Sequence, residues 1–155
     1  MKALVTGASS GIGKDIARVL SSLGYELILV ARDKEKLEKL QKELKTNSEV
    51  IAMDLGIEQN CINLYNQVKN QTIDILINNA GFGIFGEFTE TNLEKELQLI
   101  NTNITAVHIL TKLFLQDMVK RNSGHILNVS SVAGFAPRTF DEFLLCIKII
   151  YNKIK

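Results

Sequence analysis

Thiols are scarce in this chain: Cys61 and Cys146 are the two cysteines in 155 residues. They are too few and too far apart for a disulfide framework or a zinc site, so both read as plain reduced cysteines and no metal centre is expected. An excess of charge of one sign is missing as well. Lys plus Arg number 18 against 17 Asp plus Glu, a formal net charge of +1. That balance provides no electrostatic footprint for DNA, RNA or an anionic membrane surface. No apolar run approaches the roughly 18 residues that a membrane span needs. The opening "MKALVTG" passes straight into apolar sequence and glycine, without a signal-peptide pattern. Low-complexity linkers are absent too. What remains is the expectation of one soluble, cytoplasmic domain with neither a nucleic-acid nor a membrane partner, long enough to bury roughly 70% of its unfolded surface.

What is present is an alternation of short apolar runs and longer helical patterns. "KALVT" (2–6), "ELILVA" (26–31), "EVIAM" (49–53), "IDILIN" (73–78) and "HILNVS" (125–130) read as strands. Between the first two, 11–23 reads as a helix with Ile12, Ile16, Val19, Leu20 and Leu23 on one face. Asp33 is placed to cap a helix over 34–45 with Leu37, Leu40 and Leu44 inward, braced by Glu35–Lys39 and Glu38–Lys42 spacings. Ile57, Cys61, Leu64, Tyr65 and Val68 share a face of the next helix. Thr91 and Glu94 have capping-box spacing before "LEKELQLI", and a long helix over about 103–121 carries Ile104, Val107, Leu110, Leu113, Phe114 and Met118. His108 on that helix is expected to be packed or half-buried, and His125 to be an edge residue. Strict alternation of strand and helix means β-α-β units, and so an α/β fold with a parallel sheet covered on both faces.

Between the first strand and the first helix lies "TGASSGIG" (6–13). Gly7, Gly11 and Gly13 permit a tight turn and let a phosphate approach the helix N-terminus, where free N–H groups and the helix dipole favour anions. Alone, such a turn is compatible with a mere strand-to-helix connection; after the first strand of a β-α-β run it points to a dinucleotide. Ser9 and Ser10 offer hydroxyls to the same phosphate. Arg32 follows the second strand directly, where an acidic residue would accept the ribose hydroxyls of NAD. A guanidinium there matches a 2′-phosphate, which favours NADP(H) over NAD(H); the plainer alternative is a solvated arginine beside Asp33. Ser131 stands just past the fifth strand, at the end of a parallel sheet where ligands bind. Asn103 by itself reads as a polar residue near a helix start.

"TGASSGIG", "NNAG" (78–81) and "NVSSVAG" (128–134), in this order and spacing, resemble the short-chain dehydrogenases/reductases from residue 2 to about 138. The resemblance implies a Rossmann-type doubly wound parallel sheet, an oxidoreductase transferring hydride between NADP(H) and a small carbonyl or alcohol substrate, and a homo-oligomer in full-length relatives. It implies that Thr6, Gly7, Ser9, Ser10, Gly11, Ile12 and Gly13 form the phosphate turn, and that Asp54 and Leu55 flank the adenine. It further implies that Asn78 to Gly81, Ala80 included, line the cofactor and brace the sheet. Asn103 matches the helix asparagine that holds a water in the proton relay, and Ser131 the serine that hydrogen-bonds the substrate carbonyl. "GFGIFGEF" (81–88) hints at an apolar wall.

The end of the chain departs from that pattern. The family's tyrosine, which delivers the proton, precedes its lysine in a Tyr-x-x-x-Lys motif. Lys148 stands where the lysine belongs, and Leu144 where the tyrosine belongs. Tyr151 and Lys155 repeat the spacing, with Lys155 at the last position. "FLLCIK" (143–148) can be encoded so that a one-base shift reads Phe-Tyr-Tyr-Ala-Ser-Lys, which restores the motif in register. The expectation is therefore a nucleotide-binding domain over 1–138, followed by an out-of-frame or truncated tail over 139–155. The sheet would then be incomplete on its C-terminal side, oligomerisation doubtful, and turnover small.

Overall fold

The computed structural model describes residues 1–130, and the expectations placed on Ser131, Leu144, Cys146, Lys148, Tyr151 and Lys155 lie outside them. Five strands form one sheet: β1 (Lys2–Thr6), β2 (Glu26–Ala31), β3 (Ser48–Ala52), β4 (Ile75–Asn78) and β5 (His125–Asn128). Their order is β3-β2-β1-β4-β5, with every pair parallel. The helices are α1 (Gly11–Ser22), α2 (Lys34–Glu43), α3 (Glu58–Val68), α4 (Leu93–Ile100) and α5 (Ala106–Lys120). The β-α-β alternation of the sequence thus becomes a doubly wound α/β sheet.

Strand side chains alternate between the faces, and both faces are apolar, as a parallel sheet covered by crossover helices requires. Leu4, Ile28, Val30 and Leu76 meet Cys61, Leu64 and Val68 of α3 and Leu110, Phe114 and Met118 of α5. Ala3, Val5, Leu27, Leu29 and Ile77 turn the other way, towards Ala17 of α1 and Leu37 and Leu40 of α2. Each large side chain so buried stabilises the fold by about 1.5–3 kcal/mol. Burial pushes the Cys61 thiol up to about 11, so at neutral pH it is an unreactive packing group.

Several local expectations are corrected. In α1 the buried residues are Gly13, Ala17 and Ser21, whereas Ile12, Val19 and Leu23 are 61%, 57% and 66% exposed. The small-residue stripe lets α1 lie close to the sheet, and the Ser21 hydroxyl accepts from the backbone N–H groups of Lys45 and Thr46 at 2.9 and 3.2 Å. Ile16 and Leu20 of the expected face do pack, half-buried, against this core, but close approach to the sheet gives the fully buried places to the smaller side chains. The α4 cap is Asn92, whose side chain accepts from the Lys95 N–H, one residue after the expected Thr91. Thr91 instead donates to Glu96 and to the Phe88 carbonyl. Asp33 caps α2 as expected, accepting from the Lys36 N–H at 3.0 Å. The ion pair within α2 joins Lys34 to Glu38, not the two expected pairs. His108 is exposed, because α5 turns Val107, Leu110, Phe114 and Met118 inward and leaves position 108 outside. His125 is exposed on β5, at the border of the described sheet.

The sequence suggested a helix starting at 103. The chain instead runs helically from Leu93 to Lys120, with a π-helical turn at Asn101–Thr105 between α4 and α5. Such turns interrupt the regular ladder and often mark functional positions. Asn103 lies inside this one.

Candidate functional site

Strand order reverses between β1 and β4, and ligands of open α/β sheets bind at the carboxyl ends of the strands beside such a reversal. A cleft of about 860 Å³ lies there. It is lined by the turn after β1 (Gly7, Ser9, Ser10, Gly11, Ile12) and by the ends of β2 and β3 (Arg32, Asp33, Asp54, Leu55). The segment after β4 (Asn79, Ala80, Gly81, Phe82) and Asn103 close the remaining side.

At its β1 end the cleft is built from backbone. A Cβ on Gly13 would stand 2.3 Å from Asn79 Nδ2 and 2.4 Å from the Gly7 carbonyl oxygen, so α1 can begin this close to β4 only with glycine there. Gly11 differs: its φ of +52° favours glycine, and a Cβ would meet nothing within 4 Å. Ser10 is the helix N-cap, yet its hydroxyl makes no capping bond, and no acidic residue occupies the first turn of α1. The start of α1 therefore keeps its positive end uncompensated towards the cleft.

Behind this turn, Thr6, Gly13 and Asn78 are buried and stand outside the lining. The Thr6 hydroxyl donates to the Ile77 carbonyl at 3.1 Å and accepts from the N–H groups of Asn79 and Ala80 at 2.9 and 3.0 Å. The Asn79 amide donates back to the carbonyls of Thr6 and Gly7. Asn78 Nδ2 donates to Thr111 on α5 and Asn128 on β5. These groups join β1, β4 and β5 and hold the glycine turn in place.

The β2 end is charged and open. Arg32 is exposed and has no ion-pair partner among the described residues. Beside it, the Asp33 carboxylate accepts from the Lys36 N–H through Oδ1 and lies 3.0 Å from the Lys36 ammonium through Oδ2. Those contacts, the backbone bond first, hold its carboxyl below the ordinary aspartate range. Asp54 Oδ1 accepts from the Gly56 N–H at 2.9 Å.

Asn103 is buried, and its amide both accepts from the Phe82 N–H at 3.2 Å and donates to the Phe82 carbonyl at 2.9 Å. The π-helical turn thus grips the segment after β4. Phe82 and Phe85 line the cleft, and Phe85 is 72% exposed, so the segment presents an apolar rim. Sequence reasoning did not single out Lys36, Thr102, Val129 or Ser130, which also line the cleft. The signal for Lys36 was there: it stands four residues beyond Arg32, one turn into a helix capped by Asp33.

An open parallel sheet bearing a glycine turn at its strand-order reversal is the Rossmann-type architecture of nucleotide-binding oxidoreductases. Residues 1–141 match the family model of the short chain dehydrogenases, and this chain belongs to that family. It is 36% identical over 137 residues to an uncharacterized oxidoreductase of Staphylococcus epidermidis, covering 87% of this chain and 60% of that one. It is 38% identical over 138 residues to a probable NADP-dependent dehydrogenase of Haemophilus influenzae, covering 87% and 55%. A crystal structure of a metagenomic short-chain oxidoreductase in complex with NADP superposes with a TM-score of 0.85 at 37% identity, covering 91% of this chain and 66% of that one.

Proposed function

We propose that residues 1–138 form an NADP(H)-binding domain of an oxidoreductase acting on a small carbonyl or alcohol. The observation that carries the reading is Arg32, exposed and without an ion-pair partner among the described residues, at the β2 end of the same cleft that the uncompensated start of α1 faces. Two anion-seeking ends in one cleft fit a dinucleotide that carries a pyrophosphate and a 2′-phosphate. The open space over Gly11 suits close approach of a phosphate to backbone. The names of the Haemophilus relative and of the metagenomic structure support the same cofactor. Gly7, Ser9, Ser10, Gly11 and Ile12 would hold the pyrophosphate, Arg32 the 2′-phosphate, Asp54 and Leu55 the adenine, and Ala80 and Gly81 the segment beyond. Thr6, Gly13 and Asn78 would shape that wall from behind.

When bound, NADP(H) supplies or accepts a hydride. Ser131 would hydrogen-bond the substrate oxygen and Lys148 would take the place of the family's lysine, while Asn103 fixes the segment after β4 through Phe82. Leu144 in the tyrosine's place leaves this chain without the general acid, a group typically worth about 10² to 10⁴ in rate. This favours a second reading for the chain as written, an NADP(H)-binding module with little turnover. A cytoplasmic setting belongs to the same proposal, and oligomerisation to full-length relatives rather than to this chain; among the described residues, no helix is long and apolar enough to cross a membrane.

Calorimetric titration of the chain with NADPH and NADH tests the cofactor reading, which requires NADPH to bind more tightly. Failure to bind either nucleotide overturns it. NADPH oxidation in the presence of small aldehydes and ketones tests the second reading separately, and detectable turnover refutes it.

A further inference from the structure

We propose that Lys36 sets the nucleotide preference of this cleft by neutralising Asp33. The inference rests on the reading that the cleft takes NADP(H). Both residues line it at the end of β2, beside Arg32. A free carboxylate at this place favours the opposite cofactor, because it repels a 2′-phosphate and accepts ribose hydroxyls. Asp33 stands one residue beyond that place, which Arg32 occupies, and lines the same cleft, so its charge is near enough to act on a ligand there.

Both its oxygens are occupied by one neighbour. Oδ1 accepts from the Lys36 backbone N–H at 3.0 Å, and Oδ2 lies 3.0 Å from the Lys36 ammonium. The first contact is a helix cap and survives any change in the Lys36 side chain. The second is a charge pair carried by that side chain alone. Lys36 is thus a positioning residue: it keeps a capping carboxylate, useful to α2, from acting as a competing charge beside Arg32. The guanidinium then remains available for a phosphate, since no described group pairs with it. The wall of the cleft also carries Asp54, whose Oδ1 is turned to the Gly56 N–H.

The test is calorimetric titration of the whole chain and its variants with NADPH and with NADH, so that no turnover is needed. Lys36→Gln should weaken NADPH roughly fivefold, the effect of about one unit charge at contact distance in water. NADH should be unchanged or bind more tightly. Lys36→Arg should behave as the parent chain. Adding Asp33→Asn to Lys36→Gln should restore the preference for NADPH, because asparagine caps as well as aspartate without the charge.

An unchanged NADPH-to-NADH ratio in Lys36→Gln overturns the inference. So does a double variant as weak towards NADPH as Lys36→Gln, which would place the ammonium on the phosphate itself. If the parent chain binds neither nucleotide, the cofactor reading fails first and this inference falls with it. Binding of NADPH with an indifferent Lys36 leaves the cofactor reading standing and removes this one alone.

Discussion

The two ends of the cleft are built by different physics. At the β1–β4 end the wall is buried backbone, with Gly13 against Asn79 and the Thr6 hydroxyl joined to Ile77, Asn79 and Ala80. At the β2 end it is solvated charge: Arg32, Asp33 and Lys36. Buried groups cannot exchange a lost partner for water, so the first end should respond to substitution as a matter of stability. Exposed charges lose little stability when changed, but they alter the potential a ligand meets, so the second end should respond in affinity.

The strongest way to break the comparison is Gly13→Ala. Its Cβ would lie within 2.4 Å of two groups, one of them the Gly7 carbonyl, which cannot swing aside like a flexible side chain. A loss of about 3 kcal/mol is expected, at the upper end of overpacking effects. Urea unfolding measures it; a change below about 0.5 kcal/mol would show that the approach of α1 to β4 is not tight. Thr6→Val comes next. It keeps the shape but takes the hydroxyl acceptor from the half-buried N–H groups of Asn79 and Ala80 and removes the donor to Ile77, for a cost of about 1–2 kcal/mol, since the Asn79 N–H keeps the Ile77 carbonyl at 3.2 Å. If Thr6→Ser recovers most of that loss in the same unfolding experiment, the hydroxyl and not the methyl group is responsible.

That division also explains what could be read from the sequence. The glycine turn, Arg32 and the β-α-β alternation are local patterns in which each residue's role follows from its neighbours along the chain, and they were legible. Thr6 and Asn78 sit in readable motifs, yet their work behind the cleft wall depends on partners more than 30 residues away. Single-sequence reading cannot pair such groups. The inward face of α1 was misread for a related reason. Hydrophobicity ranks Val19 and Leu23 above Ala17 and Ser21, but the spacing between helix and sheet ranks them the other way. Asn92 displaced Thr91 as the cap of α4 by a single residue, within the ordinary uncertainty of helix ends.

The charged end sharpens the contrast in the opposite direction. Arg32→Gln should leave the unfolding free energy within about 0.5 kcal/mol of the parent, since no described group pairs with the guanidinium. NADPH affinity should fall by about tenfold, the lower range for a charge-assisted contact to phosphate, with NADH little changed. Equal losses for both nucleotides would place Arg32 away from the 2′-phosphate.

The smallest expected effect uses pH to separate the two ends. The Asp33 carboxyl is held low by the Lys36 N–H and then by the Lys36 side chain. A folded value below the unfolded one means that folding favours the ionised form. Its contribution is therefore complete above the ordinary aspartate value of about 3.9, and is lost as pH falls through the lowered folded value. Asp33→Asn keeps a competent cap, so at neutral pH the parent should be only slightly more stable than the variant. In acid that advantage should vanish, because a protonated aspartate no longer attracts the ammonium. The Thr6 hydroxyl does not titrate in this range, so the Thr6→Val penalty should be the same at both pH values. Thermal melts of the parent chain and both variants at pH 7 and well below pH 3.9, under the lowered folded value, give the comparison directly. A Thr6→Val penalty that shrinks in acid along with the Asp33→Asn difference would mean that the two ends of the cleft unfold as one electrostatically coupled unit.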